Sequence, residues 1–558
     1  MSNKSKTKQE NYESIFDNKK AYRAPLPKLI IYTLSIILTI IYIVFRIGFT
    51  LPYKIGWVEM IFSLIVLFVE IWEFFDFFVY YFNILCFKKR VPKAPNFKDI
   101  EEYPDIDIMI ATIDEYNELL EKNITACKNL NYPDKSKLHI YLCDDGNRKD
   151  VKELADNMGI NYISRLTHKD AKAGNYNHAL TKMNSPYVAT FDADMIPEPD
   201  FLEKTLPYFY DKKANIGFVQ QPQSFKNPDI FQLRFGLSNK LPFEQEYFYH
   251  SIQLAKNATN SAIFCGTNAL FLREALDAAG GFATGTISED IATGMMVESK
   301  GYRGLATNDI SVYGTATDDL TSYAKQRSRW ARGCIQIFKK FDIVNNKGLT
   351  FRQKIEYLSC VSYWFYGLKR MIYLLTPLLF SLFGLIIVDC DLTTFIAIWL
   401  PGYILKRYFL DFLEGNKRSS TWNKIYETTM APIMWKAVLK EFIGLGSTKF
   451  EVTPKYNTTY KITKTNFKLL LSHLLLLGLS IAGLVMCLIR LKYVGLTVYI
   501  LSLVWLISNI FYLSVAVIFD LRFNPIAYKN FKPNKVKRYG YSTIPLIFLQ
   551  FYKKRIKN

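Results

Sequence analysis

Phe191-Asp192-Ala193-Asp194-Met195 sets two carboxylates one residue apart. They follow Tyr187-Val188-Ala189-Thr190, a β-branched and aromatic run that predicts a buried strand. At the C-terminal lip of such a strand both acids can turn into the crevice where α/β sheets bind ligands. At ~5 Å and an effective dielectric of ~20 they would repel by roughly 3 kcal/mol. A hard divalent cation removes that repulsion and leaves sites that suit phosphate oxygens. Most isolated Asp-x-Asp triplets are solvated turns, so the other groups carry the argument. Asp144-Asp145-Gly146 closes another strand and reads either as an Asp-Gly turn or as a carboxylate placed to accept hydrogen bonds from a pyrimidine or ribose. Lys172 is a flexible ammonium that could reach a diphosphate. In Ser288-Glu289-Asp290, Ser288 can cap the helix that follows. Asp290 is the candidate general base, and that role needs a pKa raised by burial or by a second carboxylate. Gln326-Arg327-Ser328-Arg329-Trp330 joins cations to an indole. It is either a juxtamembrane basic helix or an arginine for a leaving diphosphate beside a ring on which a sugar stacks.

The elements that must position these groups alternate between strand and helix. Ile106–Thr112, His139–Cys143 and Tyr162-Ile163 predict strands; helices are expected from about Glu115 to Leu130 and over Val151–Met158. That alternation implies a doubly wound parallel sheet.

The chain of 558 residues is 50% hydrophobic with a formal net charge of +20, and its mean hydropathy is +0.04. Its apolar residues are segregated into runs at both ends, whereas the middle, about Pro92 to Phe341, has the composition of a soluble domain. Lysines and arginines cluster beside the apolar runs, as in Lys88-Lys89-Arg90 and Lys535-Val536-Lys537-Arg538. The positive-inside rule explains that placement without a nucleic-acid partner. Spans are expected at Leu29–Leu51, from Trp57, and at about Met371–Val388, Thr394–Leu410, Phe467–Ile489 and Tyr493–Phe519, about six in all. Glu70, Glu73 and Asp76 in the second must sit near the inner interface or face other protein. An amphipathic stretch from Asn423 to Leu445 predicts an interfacial helix. The eight cysteines are scattered without metal-ligand spacing, which predicts free thiols. The expected division is a cytoplasmic tail over 1–28, two spans within 29–87, a globular domain over 92–345, interfacial helices and four spans within 346–520, and a basic tail over 521–558. Both termini and the globular domain are expected in the cytoplasm.

In order and separation, Asp144, Asp192/Asp194, Asp290 and Gln326-x-x-Arg329-Trp330 resemble the motif set of processive family 2 glycosyltransferases, in particular the bacterial cellulose synthase catalytic subunit. The likeness runs from about Asp105 to Lys455. His168–Asn175 is similar to the family's His-Ala-Lys-Ala-Gly-Asn with two extra residues. Val219-Gln220-Gln221-Pro222 and Phe264-Cys265-Gly266-Thr267 match blocks that line the acceptor site, and Phe450-Glu451-Val452-Thr453-Pro454-Lys455 looks like the gating loop (446–460) that folds over bound nucleotide sugar. Ser288 replaces a threonine, and Ala111-Thr112-Ile113-Asp114-Glu115 departs from the family's Pro-Thr-Tyr-Asn-Glu uridine turn by lacking the aromatic residue.

The resemblance implies a GT-A-like, Rossmann-type mixed sheet in a cytosolic domain, inserted in a helical transmembrane channel of about six spans plus interfacial helices. It implies that Thr112, Glu115, Asp144, Lys172, Asp192, Gln326, Arg329 and Trp330 bind a UDP-sugar. Asp192 and Asp194 would hold Mg²⁺ or Mn²⁺; Asp290 would act as base, with Arg329 assisting departure of the diphosphate. Phe264, Cys265, Gly266 and Trp330 would seat the acceptor, and Phe450, Val452, Thr453 and Lys455 would form the gating loop. The implied reaction is inverting transfer from UDP-glucose to a growing β-glucan, β-1,4 or mixed β-1,3/1,4, exported across the bilayer. A hyaluronan-type synthase using two UDP-sugars is the alternative, and a transporter or scaffold with an inactive transferase domain is a third reading. Control by cyclic-di-GMP is not expected, because the tail carries no Arg-x-x-x-Arg.

Overall fold

The structure is a computed structural model that describes residues 26–86, 96–211, 213–234, 241, 243–317, 319–408, 419–446, 465–490 and 496–521. Helices α1 (Leu26–Phe49) and α2 (Trp57–Cys86) lead into the sheet domain. There β1 (Ile106–Thr112), α3 (Asn117–Lys128), β2 (Leu138–Asp144), α4 (Lys149–Asn157), β3 (Asn161–Ser164), α5 (Ala171–Leu180) and β4 (Tyr187–Asp192) alternate as the sequence predicts. Short elements follow: β5 (Ile196–Pro197), β6 (Ile216–Gln220), β7 (Ser224–Phe225), α6 (Ile230–Arg234) and α7 (Leu254–Lys256). The domain continues through β8 (Ala269–Leu272), α8 (Arg273–Ala279), α9 (Glu289–Ser299), β9 (Arg303–Ala306), β10 (Val312–Gly314) and α10 (Leu320–Lys340).

Seven strands form one sheet in the order β3-β2-β1-β4-β8-β6-β9. The first four are parallel, but β8 runs antiparallel to both β4 and β6, so the sheet is mixed rather than wholly parallel. The alternating strands β1 to β4 are parallel, as the pattern predicts, and the antiparallel β8, reached through β5 to β7, α6 and α7, gives the mixed sheet that the resemblance implies. Every residue of β1 except Ala111 is buried, as a strand covered on both faces requires. The register pairs Thr112 with Asp144 and Ala111 with Asp192, which brings three predicted site residues to one lip of the sheet.

After the sheet come α11 (Phe351–Tyr363), α12 (Tyr366–Phe383), α13 (Leu392–Tyr408), α14 (Ser420–Phe442), α15 (Phe467–Arg490) and α16 (Leu496–Asp520). Among the described residues three helices are long and apolar enough to cross a membrane: Leu26–Phe49, Phe467–Ile489 and Tyr499–Asp520. The other predicted spans are helical, but α2 carries Glu59, Glu70, Glu73 and Asp76, α12 carries Lys369 and Arg370, and α13 has 17 residues. Glu70, Glu73 and Asp76 face protein. Glu70 pairs with Arg46 at 3.0 Å and accepts from Tyr42 at 2.7 Å, Glu73 accepts from Tyr373 at 3.1 Å, and Asp76 pairs with Lys369 at 2.7 Å. The helix predicted over 423–445 forms as α14. It packs against α10, α12 and α16, and Trp422, Ile425, Met430, Ala431, Met434 and Val438 are all buried.

Candidate active site

At the sheet lip, Thr112 Oγ1 and the Ile113 amide both donate to Glu115 Oε2, at 2.8 and 2.9 Å. Asp144 is fully buried and already saturated. It accepts from the Gly146 and Arg148 amides at 3.0 and 2.7 Å, from the Tyr162 hydroxyl at 3.0 Å and from the Arg148 guanidinium at 3.1 Å. Arg148 also donates to Thr112 Oγ1 at 2.7 Å and to the Glu115 carbonyl at 2.5 Å. Asp144 therefore organises this end of the lip through Arg148, a residue the motif reading passed over, and its oxygens are already engaged.

The neighbouring Asp145 builds the next wall. It takes a two-pronged bond from Arg165, Nε at 2.6 Å and Nη2 at 2.9 Å, and Arg165 in turn donates to the carbonyls of Lys169 and Ala171. That grip holds a tight turn in which Asp170 and Ala171 both have positive φ, +61° and +45°. The two residues extra to the family motif, Lys169 and Asp170, are thus absorbed in the turn that launches α5 and Lys172.

Lys172 Nζ lies 2.5 Å from Asp192 Oδ1 and 2.6 Å from the Gly266 carbonyl. Gly266 has φ +81°, and a Cβ placed there would lie 3.2 Å from Asp290 Oδ2 and 3.6 Å from Lys172 Nζ. The lysine, the Asp-x-Asp turn and the presumed base therefore converge on one backbone position. Two residues fix the turn, Asn123, which the motif reading did not single out, and Thr267, which it placed in the acceptor block. Asn123 Nδ2 donates to the carbonyls of Asp192, Ala193 and Met195 at 2.9, 3.0 and 3.2 Å, and Thr267 Oγ1 accepts from the Asp192 amide at 3.0 Å. A buried asparagine on a predicted amphipathic helix was the one available signal for the first of them.

Asp290 and Glu289 open α9. Ser288 occupies the capping position, but its side chain makes no capping bond, which corrects the predicted cap: Gly333 of α10 packs onto it so closely that a Cβ there would lie 1.9 Å from Ser288 Oγ. Asp290 Oδ1 accepts from the Ile291 amide at 2.9 Å. Burial raises the Asp290 carboxyl above its ordinary value, opposed by that amide, Lys172 and Arg329. Burial and then the charge of Asp290 push Glu289 up to about 7. Burial pulls Lys172 down, but Asp192, Glu289 and Asp290 outweigh it and keep the ammonium charged.

Gln326, Arg329 and Trp330 are half-buried on α10. Arg329 is near enough to favour the charged forms of Glu289 and Asp290. The Trp330 ring carries the Arg327 guanidinium at 4.6 Å, and Arg327 is paired with Glu244, so a cation already covers part of the indole. Trp330 contacts Trp364, which contacts Tyr363, which contacts Tyr366, at centroid distances of 6.4, 5.2 and 5.7 Å. Tyr366 lines a cavity of about 330 Å³ among the helices, with Tyr42, Tyr373, Trp399, Tyr403 and Trp505. Cys265 is half-buried, and Gln220 Oε1 and Gln253 Nε2 hold its amide and sulfur at 2.9 and 3.3 Å. Phe264, expected at the acceptor, is 1% exposed and packs on Phe218, Phe271 and Phe282. It is a core ring that supports the 265–267 segment from below. Phe450, Val452, Thr453 and Lys455 lie outside the described residues.

Residues 104–333 match the family described as Glycosyltransferase like family 2, and residues 278–421 match Cellulose synthase. The sheet domain is a family 2 glycosyltransferase domain. The chain is 31% identical to a cellulose synthase catalytic subunit [UDP-forming] of Pseudomonas fluorescens (strain SBW25), over 88% of this chain and 66% of that one. It is 32% identical to the protein of the same name from Xanthomonas axonopodis pv. citri (strain 306), over 78% of this chain and 60% of that one. It is 30% identical to a putative cellulose synthase 2 of Komagataeibacter xylinus, over 76% of this chain and 28% of that one. The chain thus spans less than two thirds of the length of these curated relatives. Among solved structures it is similar to a mannosyltransferase from Pyrobaculum calidifontis in complex with GDP-Man and Mn²⁺, at 19% identity and a TM-score of 0.48, over 68% of this chain and 98% of that one.

The transferase domain brings Asp192, Lys172, Gly266 and Asp290 into one cradle. Asp192 and the buried Asp194 offer oxygen ligands only, which suits Mg²⁺ or Mn²⁺. Among the described residues no group of three or more His, Cys, Asp or Glu could hold a metal by itself. A cation here would take two protein carboxylates and complete its shell from phosphate oxygens, the usual pattern for Mg²⁺.

Proposed function

We propose that this chain is a membrane-bound, processive, inverting glycosyltransferase. In this reading it draws glucose from UDP-glucose and extends a β-glucan, β-1,4 or mixed β-1,3/1,4, passing the product through its own helices. The observation that carries the reading is the approach of Lys172 Nζ and Asp290 Oδ2 to the single glycine Gly266, with Asp192 salt-bridged to that lysine. It puts a base and a diphosphate-binding cation beside the same space, left free by the missing side chain of residue 266.

Asp290 takes the proton of the acceptor hydroxyl on Oδ2, because Oδ1 is engaged by the Ile291 amide. The hydroxyl oxygen bonds to the anomeric carbon as the bond to the diphosphate oxygen breaks, and an α-linked donor yields a β-linkage. Lys172 and Arg329 face the charge that develops on the departing UDP. Held by Asp192 and Asp194, Mg²⁺ or Mn²⁺ would neutralise part of that charge. Alignment of the two sugars in one cleft accounts for ~7–11 kcal/mol of the barrier in well-oriented systems. That two of the relatives are UDP-forming cellulose synthase subunits by name supports this donor class.

The cavity supports export. Its aromatic residues offer faces to sugar rings, and the ring contacts from Trp330 to Tyr366 lead to it. Its charges nearly balance, with Lys369, Arg370, Lys406 and Lys424 against Glu70, Glu73 and Glu427, and Lys369 is paired with Asp76. That lining gives an anionic polymer no advantage over a neutral one. In this reading the transferase domain and both termini lie in the cytoplasm, where UDP-sugars are made.

Asp290→Asn tests the assignment. Polymer formation is expected to vanish while binding of UDP-glucose, followed by calorimetry, stays near that of the unaltered protein. Polymerisation by this variant would refute the role of Asp290.

A further inference from the structure

We infer that Gln336 is a positioning residue for the transfer step: it holds the loop that carries Asp290 against the helix that carries Arg329, and it draws its orientation from Glu441 on α14. The inference rests on the reading of Asp290 as the base.

The loop before α9 lacks the usual means of fixing its exit. Ser288 makes no capping bond, and Thr286 reaches the Gly333 carbonyl at 3.4 Å. Two short bonds join this loop to α10: the Ile287 amide donates to Gln336 Oε1 at 2.9 Å, three residues before the base, and Lys340 Nζ donates to the Gly285 carbonyl farther back. Gln336 Nε2 donates to Glu441 Oε1 at 2.9 Å, and Arg332 Nε pairs with Glu441 Oε2 at 3.0 Å. Gln336 and Glu441 are 4% and 8% exposed, so these bonds are made away from solvent, where an unmade one is costly.

The geometry sets the sense of the amide. Glu441 has only acceptors to offer Gln336, so the NH₂ group must face α14 and the carbonyl must face the loop. A donor to a carboxylate is polarised by it, which strengthens the bond its carbonyl accepts. Arg329, Arg332, Gly333 and Gln336 are spaced i, i+3, i+4 and i+7, so they share one face of α10. The face that docks the loop is therefore the face that presents Arg329. Gly333 belongs to the same device, since a Cβ there would lie 1.9 Å from Ser288 Oγ and 2.8 Å from its amide nitrogen. Lys339 Nζ ties the other end by donating to the Glu441 carbonyl at 2.8 Å. The relay sets how far Asp290 stands from Arg329, and thus the alignment of acceptor with leaving group.

An exchange of side chains tests this in the full-length protein. Gln336→Glu sets two carboxylates against each other and removes the donor. In the double variant Gln336→Glu/Glu441→Gln the carboxylate and the amide change places, and every donor again meets an acceptor. With UDP-glucose as donor, the single variant is expected to lose about 100-fold in kcat with KM moved less than about threefold, and the exchange to recover most of the loss. If Gln336→Glu does not fold, the uncharged Gln336→Met reads the same loss of kcat. Retention of full kcat by Gln336→Glu or Gln336→Met, or failure of a folded exchange variant to recover activity, overturns the inference. Asp290→Asn, measured beside them, separates the two claims. If that variant polymerises, the assignment of the base is wrong. If it is inactive while the Gln336 variants are unaffected, only the relay is wrong.

Discussion

Gly266→Ala isolates the crowding at the centre of the site. Gly266 has φ +81°, and its added Cβ would stand 3.2 Å from Asp290 Oδ2, closer than ordinary van der Waals contact, and 3.6 Å from Lys172 Nζ. The substitution has two separable costs. The left-handed backbone costs an alanine about 1–2 kcal/mol, or ~2–8 °C in melting temperature for a domain of this size. The methyl group also displaces Asp290 by a few tenths of an ångström from the position that faces Lys172. Misplacement of a catalytic group by ~1 Å can cost 10²-fold, so a loss of about 10-fold or more in kcat is expected here. Gly280→Ala is the control, because Gly280 has φ +88° and nothing within 4 Å of its would-be Cβ. It pays the backbone strain without touching the site. The assay is UDP release at saturating UDP-glucose, alongside thermal melts of both variants. If Gly266→Ala turns over as fast as Gly280→Ala, the space at residue 266 does not govern the base and the cation and the geometric argument fails.

Two further outcomes follow from the same cradle. Glu289 is held up to about 7, against an ordinary value of 4.5. A carboxyl whose folded pKa is raised contributes stability that is present below pH 4.5 and lost as pH rises through about 7. Glu289→Gln is therefore expected to flatten the decline of melting temperature over that window and to move the acid limb of the rate profile to lower pH; unchanged melting and rate profiles would contradict the coupling of the two acids. Chelation of divalent ions is expected to stop turnover and Mg²⁺ or Mn²⁺ to restore it, with Asp194→Asn needing more metal for half-maximal rate; metal-independent transfer would remove the case for Asp192 and Asp194 as ligands.

Much of this arrangement was legible in the residues. Strand alternation announced β1, β2 and β4, and their register set Thr112, Asp144 and Asp192 along one lip, where the motif reading had put them. The acids of α2 were rightly expected to need partners, which Arg46, Tyr373 and Lys369 provide. What escaped was decided by tertiary contact. The direction of β8 depends on how the chain returns from β7; no local pattern encodes that, and only the family resemblance implied the mixed sheet. Phe264 sits in a motif block, yet its ring faces Phe218 and Phe271 because the segment before β8 enters the core. The amphipathic pattern of 423–445 announced a helix but not its partners: Glu441 is spent on Arg332 and Gln336, and α10 and α12 pack against it. Arg148, Arg165 and Gln336 lie next to or beyond recognised motifs, and only their partners reveal them.

The most direct test of the central claim supplies UDP-glucose as the sole sugar donor, with Mg²⁺, to the purified full-length chain in lipid vesicles. The account predicts stoichiometric release of UDP and a glucose polymer whose linkage analysis shows β-1,4 bonds, alone or with β-1,3 bonds. Absence of polymer until a second UDP-sugar is added, or α-linked product, would contradict it.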